Sequence, residues 1–348
     1  MKTKPMTKFA ILALSLVLVA CAGGGSEEAG CPAIDGREIN VVATTPMIGE
    51  FVSQVGGEKI NLTVLMPPEA NPHTYEPAPQ DAGTIAEADL VFYTGLLYEP
   101  AALVKLLENS ACSTDILSEV GESVFPIEFK EGGHDDHDDH DDHDDEEGHD
   151  DHDDEEGHDD EEGHDDHEGH NHGAYDPHFW FDPSRVAYAA EYIESRLIEF
   201  DPENESSYKS SADSFVSELN DLTKQVSELI STVPSQNRKL ITTHESLGYL
   251  EAKFGLEVLS TIIPSLNSAN EISPSDLAGV IDVIEDNNVK VIFIESEAPS
   301  VYSETIVAET GIKSVTGLYV ETLKPGQSYS EFLVSNVTLI TENLQDTD

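Results

Sequence analysis

Short apolar runs alternate with stretches of helical period along most of this chain. Residues 39–43, 62–65 and 90–93 are β-rich apolar runs without polar alternation, the pattern of strands buried on both faces. Helical segments near 46–55, 79–87 and 99–109 separate or follow them. The rhythm returns later: strands at 240–242, 258–261, 289–294 and 313–315, helices near 246–254, 275–287, 299–310 and 328–344. Between the two sets lies a different pattern. Asp201-Pro202-Glu203 is a helix-start signal, with a capping acid, a proline in the first turn and a further acid at the positive dipole end. Tyr208, Ala212, Phe215, Leu219, Leu222, Val226 and Leu229 then follow at spacings of four and three, one face of a helix of about 30 residues that Pro234 ends. The expected fold is α/β: two lobes with mostly parallel sheets joined by one long rigid helix. The expected division is 37–200 for the N-terminal lobe, 201–233 for the helix and 234–348 for the C-terminal lobe.

Two segments stand outside this rhythm. Residues 131–172 contain almost nothing but His, Asp, Glu and Gly, with eleven histidines and 24 acids and no Lys or Arg. With no apolar surface to bury, this insertion into the first lobe is expected to be disordered. The formal charge of the whole chain is −53, and −29 remains when the tract is set aside. Such a balance argues against a nucleic-acid partner, which needs a basic patch, and suits a cation; general solubility is the plainer reading of the same charge. The other segment is the N-terminus. Lys2, Lys4 and Lys8 precede an apolar run from Phe9 to Ala20, the form of a secretory signal over 1–21, followed by a Gly- and Glu-rich tether over 22–36. Leu18-Val19-Ala20-Cys21 resembles the bacterial lipoprotein processing box, which would make Cys21 the lipidated first residue and anchor the chain to a membrane surface; an ordinary signal peptide is the alternative. In an oxidising compartment Cys31 and Cys112 can form a disulfide, or stay as two buried thiols.

Only three histidines lie outside the tract: His73, His178 and His244. His73 sits in a stiff, Pro-rich loop after a strand. His178 lies in a Pro-bounded turn that leads into a helix. His244 follows the strand beginning near Lys239 and precedes the turn Glu245-Ser246, where a helix is expected to open. Ligands of open α/β sheets bind beyond the carboxyl ends of strands, where His73 and His244 fall. Neutral imidazole is the commonest side-chain ligand of zinc and its neighbours, though any one of these histidines alone is weak evidence.

Four segments carry a more specific resemblance: PPEANPHTYEPAPQD, DPHFWFDP, the turn His244-Glu245-Ser246-Leu247-Gly248-Tyr249, and GLYVETLKPGQSYSEF. In this order, from about Ile39 to the C-terminus, the chain resembles the metal-binding lipoproteins of ABC importers for zinc and manganese. The resemblance implies two lobes with a metal site in the cleft, and one ligand from each of four places: His73, His178, His244 and an acid in the segment Tyr319-Val320-Glu321-Thr322. Many members have Asp where this chain has Glu321, so either Glu321 or a water completes the site. His244 stands where manganese-type members tend to carry a carboxylate. Three imidazoles and one oxygen suit tetrahedral Zn2+, with Mn2+ as the alternative. Glu76, Glu245 and Glu295 are candidates for orienting the ligands. The implied partners are an ABC permease and its ATPase, with the binding protein itself a monomer.

Two other functions compete. An extracellular zinc buffer or adhesin would make the tract the working part. A zinc hydrolase would need an open metal position, and no HExxH helix, GxSxG elbow or phosphate loop occurs in the sequence.

Overall fold

The computed structural model describes residues 31, 34, 36–129, 175–297 and 301–345. The expected signal, the lipidated Cys21 and the His/Asp tract all lie outside the described residues. No described helix is long and apolar enough to cross a membrane.

Among the described residues, eight strands form two sheets. The first contains β1 (Ile39–Ala43), β2 (Ile60–Val64), β3 (Leu90–Tyr93) and β4 (Leu117–Glu119), in the order β2-β1-β3-β4. The second contains β5 (Lys239–His244), β6 (Glu257–Ile263), β7 (Val291–Glu295) and β8 (Lys313–Leu318), in the order β6-β5-β7-β8. All pairings within the two sheets are parallel, and the two lobes share one topology. Parallel neighbours need crossovers, and helices supply most of them. The first lobe carries α1 (Pro46–Gly56), α2 (Pro79–Ala86), α3 (Ala101–Ser110) and α4 (Pro183–Phe200). After α5 (Glu205–Ser231), the second carries α6 (Gly248–Phe254), α7 (Pro274–Asp286), α8 (Val301–Thr310) and α9 (Tyr329–Gln345).

Side-chain alternation explains the layers. Val41, Leu90, Phe92, Leu240, Val291 and Phe293 face one large core that also takes in α4, α5 and α9. Their neighbours Val42 and Val91 face a small core with Ile85, Leu103 and Leu107, while Ile241, Ile292 and Ile294 face another with Val280, Ile284 and Ile306. Because both faces of the central strands β1, β3, β5 and β7 are covered, they are buried almost throughout. The edge strands differ: β2, expected to be buried on both faces, exposes Asn61, Thr63 and Val64, and β8 exposes most of its residues, because an edge strand has only one neighbour to cover it.

The long helix α5 has 27 residues, about 40 Å, and packs on α1, α4 and α9. Its start differs from expectation. Pro202–Asn204 is a separate 3-10 turn, and the Asp201 carboxylate accepts from the Tyr208 hydroxyl and the Asn204 amide instead of capping the helix. At the other end Ile230 is buried where Leu229 was expected, and Leu229 is half-buried. A 3.5-residue repeat drifts against a 3.6-residue helix, so the buried stripe gains one position over its length. Cys31 and Cys112 are joined by a disulfide that fastens the start of the described chain to the end of α3.

Candidate metal centre

In each sheet the order reverses at the same place, between β1 and β3 and between β5 and β7. A crevice opens there beyond the carboxyl ends of the strands. His244 is the last residue of β5 and is fully buried. Its turn does not open a helix at Glu245; α6 begins only at Gly248, because Ser246 bends back to the His244 carbonyl and Glu295. Glu295, the last residue of β7, accepts from the His244 backbone N–H and pairs through Oε2 with Nδ1 of its ring. This fixes the ring and turns Nε2 outward from the sheet.

His178 is held in a similar way. Oδ1 of Asp176 lies 2.8 Å from both the backbone N and Nδ1 of His178. The turn is locked by its neighbours: the Trp180 indole donates to the Val320 carbonyl, and the Tyr329 hydroxyl to the Trp180 carbonyl. His73 sits in a 3-10 turn, Pro72–Thr74, capped by Asn71, whose side-chain oxygen accepts from His73 N. The Asn71 amide donates across to Ser268 Oγ and the Glu297 carbonyl, tying this loop of the first lobe to loops of the second.

All four expected residues come together. One ligand atom from each of His73, His178, His244 and Glu321 lies within 4.8 Å of the others. Glu321 is buried, with Oε1 3.0 Å from Nε2 of both His73 and His244 and Oε2 3.5 Å from Nε2 of His178. A tetrahedral zinc site with arms of ~2.0–2.1 Å has ligand-to-ligand edges of about 3.3 Å, close to these spacings. The extra methylene of Glu321, compared with Asp, is taken up by a side chain that the Tyr98 hydroxyl grips at Oε2 (2.9 Å) and at the backbone carbonyl (3.1 Å). Nε2 of His178 and Nε2 of His244 are buried and make no hydrogen bond, although Glu321 is near both. As neutral acceptors they would be costly without a ligand; with no cation bound they face only Glu321, toward which they can hold protons.

The electrostatics describe a site that holds protons when no cation is bound. Burial would lower the pKa of His178, but Asp176 and Glu321 outweigh it and raise it to about 9. Burial likewise opposes the charge on His244, yet Glu295 and Glu321 push its pKa well above the usual imidazole value. Glu321 is driven up by burial and more strongly down by His73, His244 and His178, ending well below the usual carboxylate range. Glu297, buried beside Glu321 and Glu295, is pushed up to about 8, and its Oε2 has no hydrogen-bond partner.

Of the three acids proposed to orient ligands, Glu295 alone does so. Glu76 is exposed, and Glu245 accepts from the Thr261 hydroxyl. Sequence reasoning missed Asp176 and Tyr98. Asp176, two residues before His178 in a Pro-bounded turn, carried a readable signal, since Asp side chains commonly bond backbone N–H groups two residues on. Tyr98 carried none.

Residues 41–343 match the family described as zinc-uptake complex component A, periplasmic. The high-affinity zinc uptake system protein ZnuA of Bacillus subtilis is 28% identical over 346 residues, covering 97% of this chain and 96% of that protein. The manganese ABC transporter substrate-binding lipoprotein PsaA of Streptococcus anginosus is 26% identical over 351 residues, covering 98% and 99%. Among solved structures, the periplasmic zinc-binding protein TroA of Treponema pallidum superposes with a TM-score of 0.71 at 20% identity, covering 88% of this chain and 99% of that one, a likeness of fold. With the match running through nearly all the described residues, the chain belongs to the family of the periplasmic component A of zinc-uptake complexes.

Proposed function

We propose that this protein is the extracytoplasmic solute-binding component of an ABC importer. It captures Zn2+ between its lobes and delivers it to a permease driven by an ATPase. The lobes are residues 37–200 and 234–348, with 201–233 as the stiff connection. His73, His178 and His244 each give Nε2, and Glu321 gives one carboxylate oxygen. The protein acts as a monomer, held at the membrane surface through lipidated Cys21. The observation that carries this reading is the convergence of four ligand atoms, three of them on buried residues and two of them imidazole nitrogens without a hydrogen-bond partner. Three nitrogens and one oxygen favour zinc over manganese, which prefers oxygen donors and more of them. A buried carboxylate at the fourth position stands against hydrolysis, which needs that position open for water.

The His/Asp tract is read as a weak, multivalent collector that raises the local Zn2+ concentration. Ordering a flexible segment around an ion costs entropy that the preformed cleft does not spend. Deleting residues 134–172 should therefore leave one tight Zn2+ per molecule. In that background His73→Ala, His178→Ala, His244→Ala and Glu321→Ala should each weaken binding by more than ~100-fold, beyond the loss typical of a supporting residue. The measurement is zinc titration against a competing chelator. Tight binding that survives all four substitutions would refute the assignment, and loss of all capacity on deletion would favour the buffer reading.

A further inference from the structure

Tyr98 is buried, and its hydroxyl points into the candidate metal centre from the opposite lobe to Glu321. It reaches that place by an unusual route. Gly95, Leu96 and Leu97, the three residues before it, have φ of 76°, 53° and 61°, all left-handed. For leucine this conformation is strained and persists only where the surroundings impose it. Here two carboxylates do so: Glu99 accepts from the backbone N–H of Thr94 and Gly95, and Glu119 from that of Leu96. The Tyr98 ring is then packed edge-on against His73 at 5.2 Å, His178 at 5.9 Å and Trp180 at 5.3 Å. A residue held this firmly delivers its hydroxyl to one point.

That point is Oε2 of Glu321. A glutamate has two equivalent oxygens, and both are close to the imidazole cage: Oε1 lies 3.0 Å from two of the Nε2 atoms, Oε2 3.5 Å from the third. A carboxylate placed so centrally can ligate through one oxygen or both, and the two modes suit different metals. One oxygen with three imidazoles makes the four-coordinate set that zinc takes. Both oxygens raise the coordination number and the oxygen share, toward the sets that manganese takes. The Tyr98 proton, shared between Oε2 and the Glu321 carbonyl, occupies Oε2 and leaves Oε1 free.

We infer that Tyr98 is a specificity-determining positioning residue that restricts Glu321 to one metal-facing oxygen and so biases the site toward Zn2+ against Mn2+. This rests on the proposed metal-capture function and goes beyond it by naming what sets the metal preference.

The test uses the full mature chain and a chelator that keeps free metal low enough for only the tight site to fill. In Tyr98→Phe, zinc affinity should fall about tenfold, the low end for a supporting residue. Manganese affinity should hold or rise, so the zinc-to-manganese ratio falls by at least that factor. Co2+ supplies a signature that packing alone would not move. Four-coordinate Co2+ absorbs visible light strongly because its site lacks a centre of symmetry, and added ligands weaken the band. The band should be strong in the wild type and weaker in Tyr98→Phe. Equal weakening of both metals with an unchanged Co2+ band would overturn the inference. Should the variant not fold, the wild type still decides: a weak Co2+ band there means Glu321 already binds through both oxygens, which overturns it. Absence of any tight wild-type site would overturn the function reading and this one with it; a tight site with an unchanged metal ratio overturns this one alone.

Discussion

Glu99 lies beyond the carboxyl ends of β1 and β3; Glu295 is the last residue of β7, next to the end of β5. Both acids are buried, both sit at the strand-order reversal of a sheet with the same topology, and both use their two oxygens as acceptors. Glu295 spends them on His244, one on its backbone and one on its ring. Glu99 spends them on the Thr44 hydroxyl and the N–H groups of Thr94 and Gly95, and so supports the left-handed turn that carries Tyr98. One crevice thus orients a candidate ligand directly. The other orients a residue that grips a candidate ligand from the facing lobe. Equivalent positions in a repeated topology can share their residue type and still differ in function, because what matters is which donors the neighbouring loops bring.

The comparison can be strained hardest with pH. His178, next to Asp176 and Glu321, has its pKa raised to about 9, and that of His244, beside Glu295 and Glu321, is also raised well above the ordinary imidazole value. A proton on Nε2 must leave before a metal can bind. Unperturbed imidazoles would lose affinity only below pH ~6.5; here the loss should begin near 9 as pH falls. Each proton displaced costs about tenfold per pH unit, so the two rings together cost up to about 10,000-fold between pH 8.5 and 6.5. The metal-free protein follows the opposite sign. A pKa raised from 6.5 to about 9 adds stability fully present below 6.5 and lost as pH rises through 9. The gain in Tm on adding Zn2+ should therefore widen with pH. Affinity that stays level from pH 8.5 to 6.5 in chelator competition would remove the proton-holding description of the centre.

Next in size is Glu295→Gln. An amide keeps one acceptor and turns the other position into a donor, so either the His244 backbone N–H or its ring nitrogen loses its partner. Zinc affinity should fall about 10–100-fold with 1:1 stoichiometry retained, as for other residues that orient a ligand from behind. A variant that binds zinc as the wild type does would reduce Glu295 to a packing role and dissolve the contrast with Glu99.

Much of this arrangement was legible in the sequence, for reasons that also mark what was not. Strands buried on both faces produce apolar runs such as Leu90–Tyr93, and these are hard to miss. The strand β4 has three residues with a buried serine at its centre, and no run announces it. The helix α4 is legible only as the helix that the His178 turn leads into, without its length, although its buried Val186, Ala189, Ala190, Ile193 and Leu197 pack it against α5. The three solitary histidines were readable because the rest of the described chain contains no others. Glu321 was readable through family resemblance, yet its reach into the centre depends on Tyr98, which approaches from 223 residues away. Tyr98 follows three left-handed residues, two of them leucines, a conformation that no sequence preference announces and that the carboxylates of Glu99 and Glu119 impose.

Glu99→Gln is the mirror of Glu295→Gln and should have the smaller effect on metal. The same exchange leaves one of the Thr94 and Gly95 N–H groups or the Thr44 hydroxyl without an acceptor in a buried crevice. An unsatisfied buried group costs about 1–3 kcal/mol, and the left-handed turn that depends on it makes the upper half of that range the expected loss in denaturant unfolding. None of the four candidate ligands, however, is among the hydrogen-bond partners of Glu99. Zinc affinity should fall less than ~10-fold, and only as far as the Tyr98 hydroxyl shifts from Oε2 of Glu321. The pair of variants therefore separates the crevices by readout: one loses affinity more than stability, the other stability more than affinity. If Glu99→Gln weakens zinc as much as Glu295→Gln does, the first crevice orients the metal as directly as the second, and the division of labour between the two sheets fails.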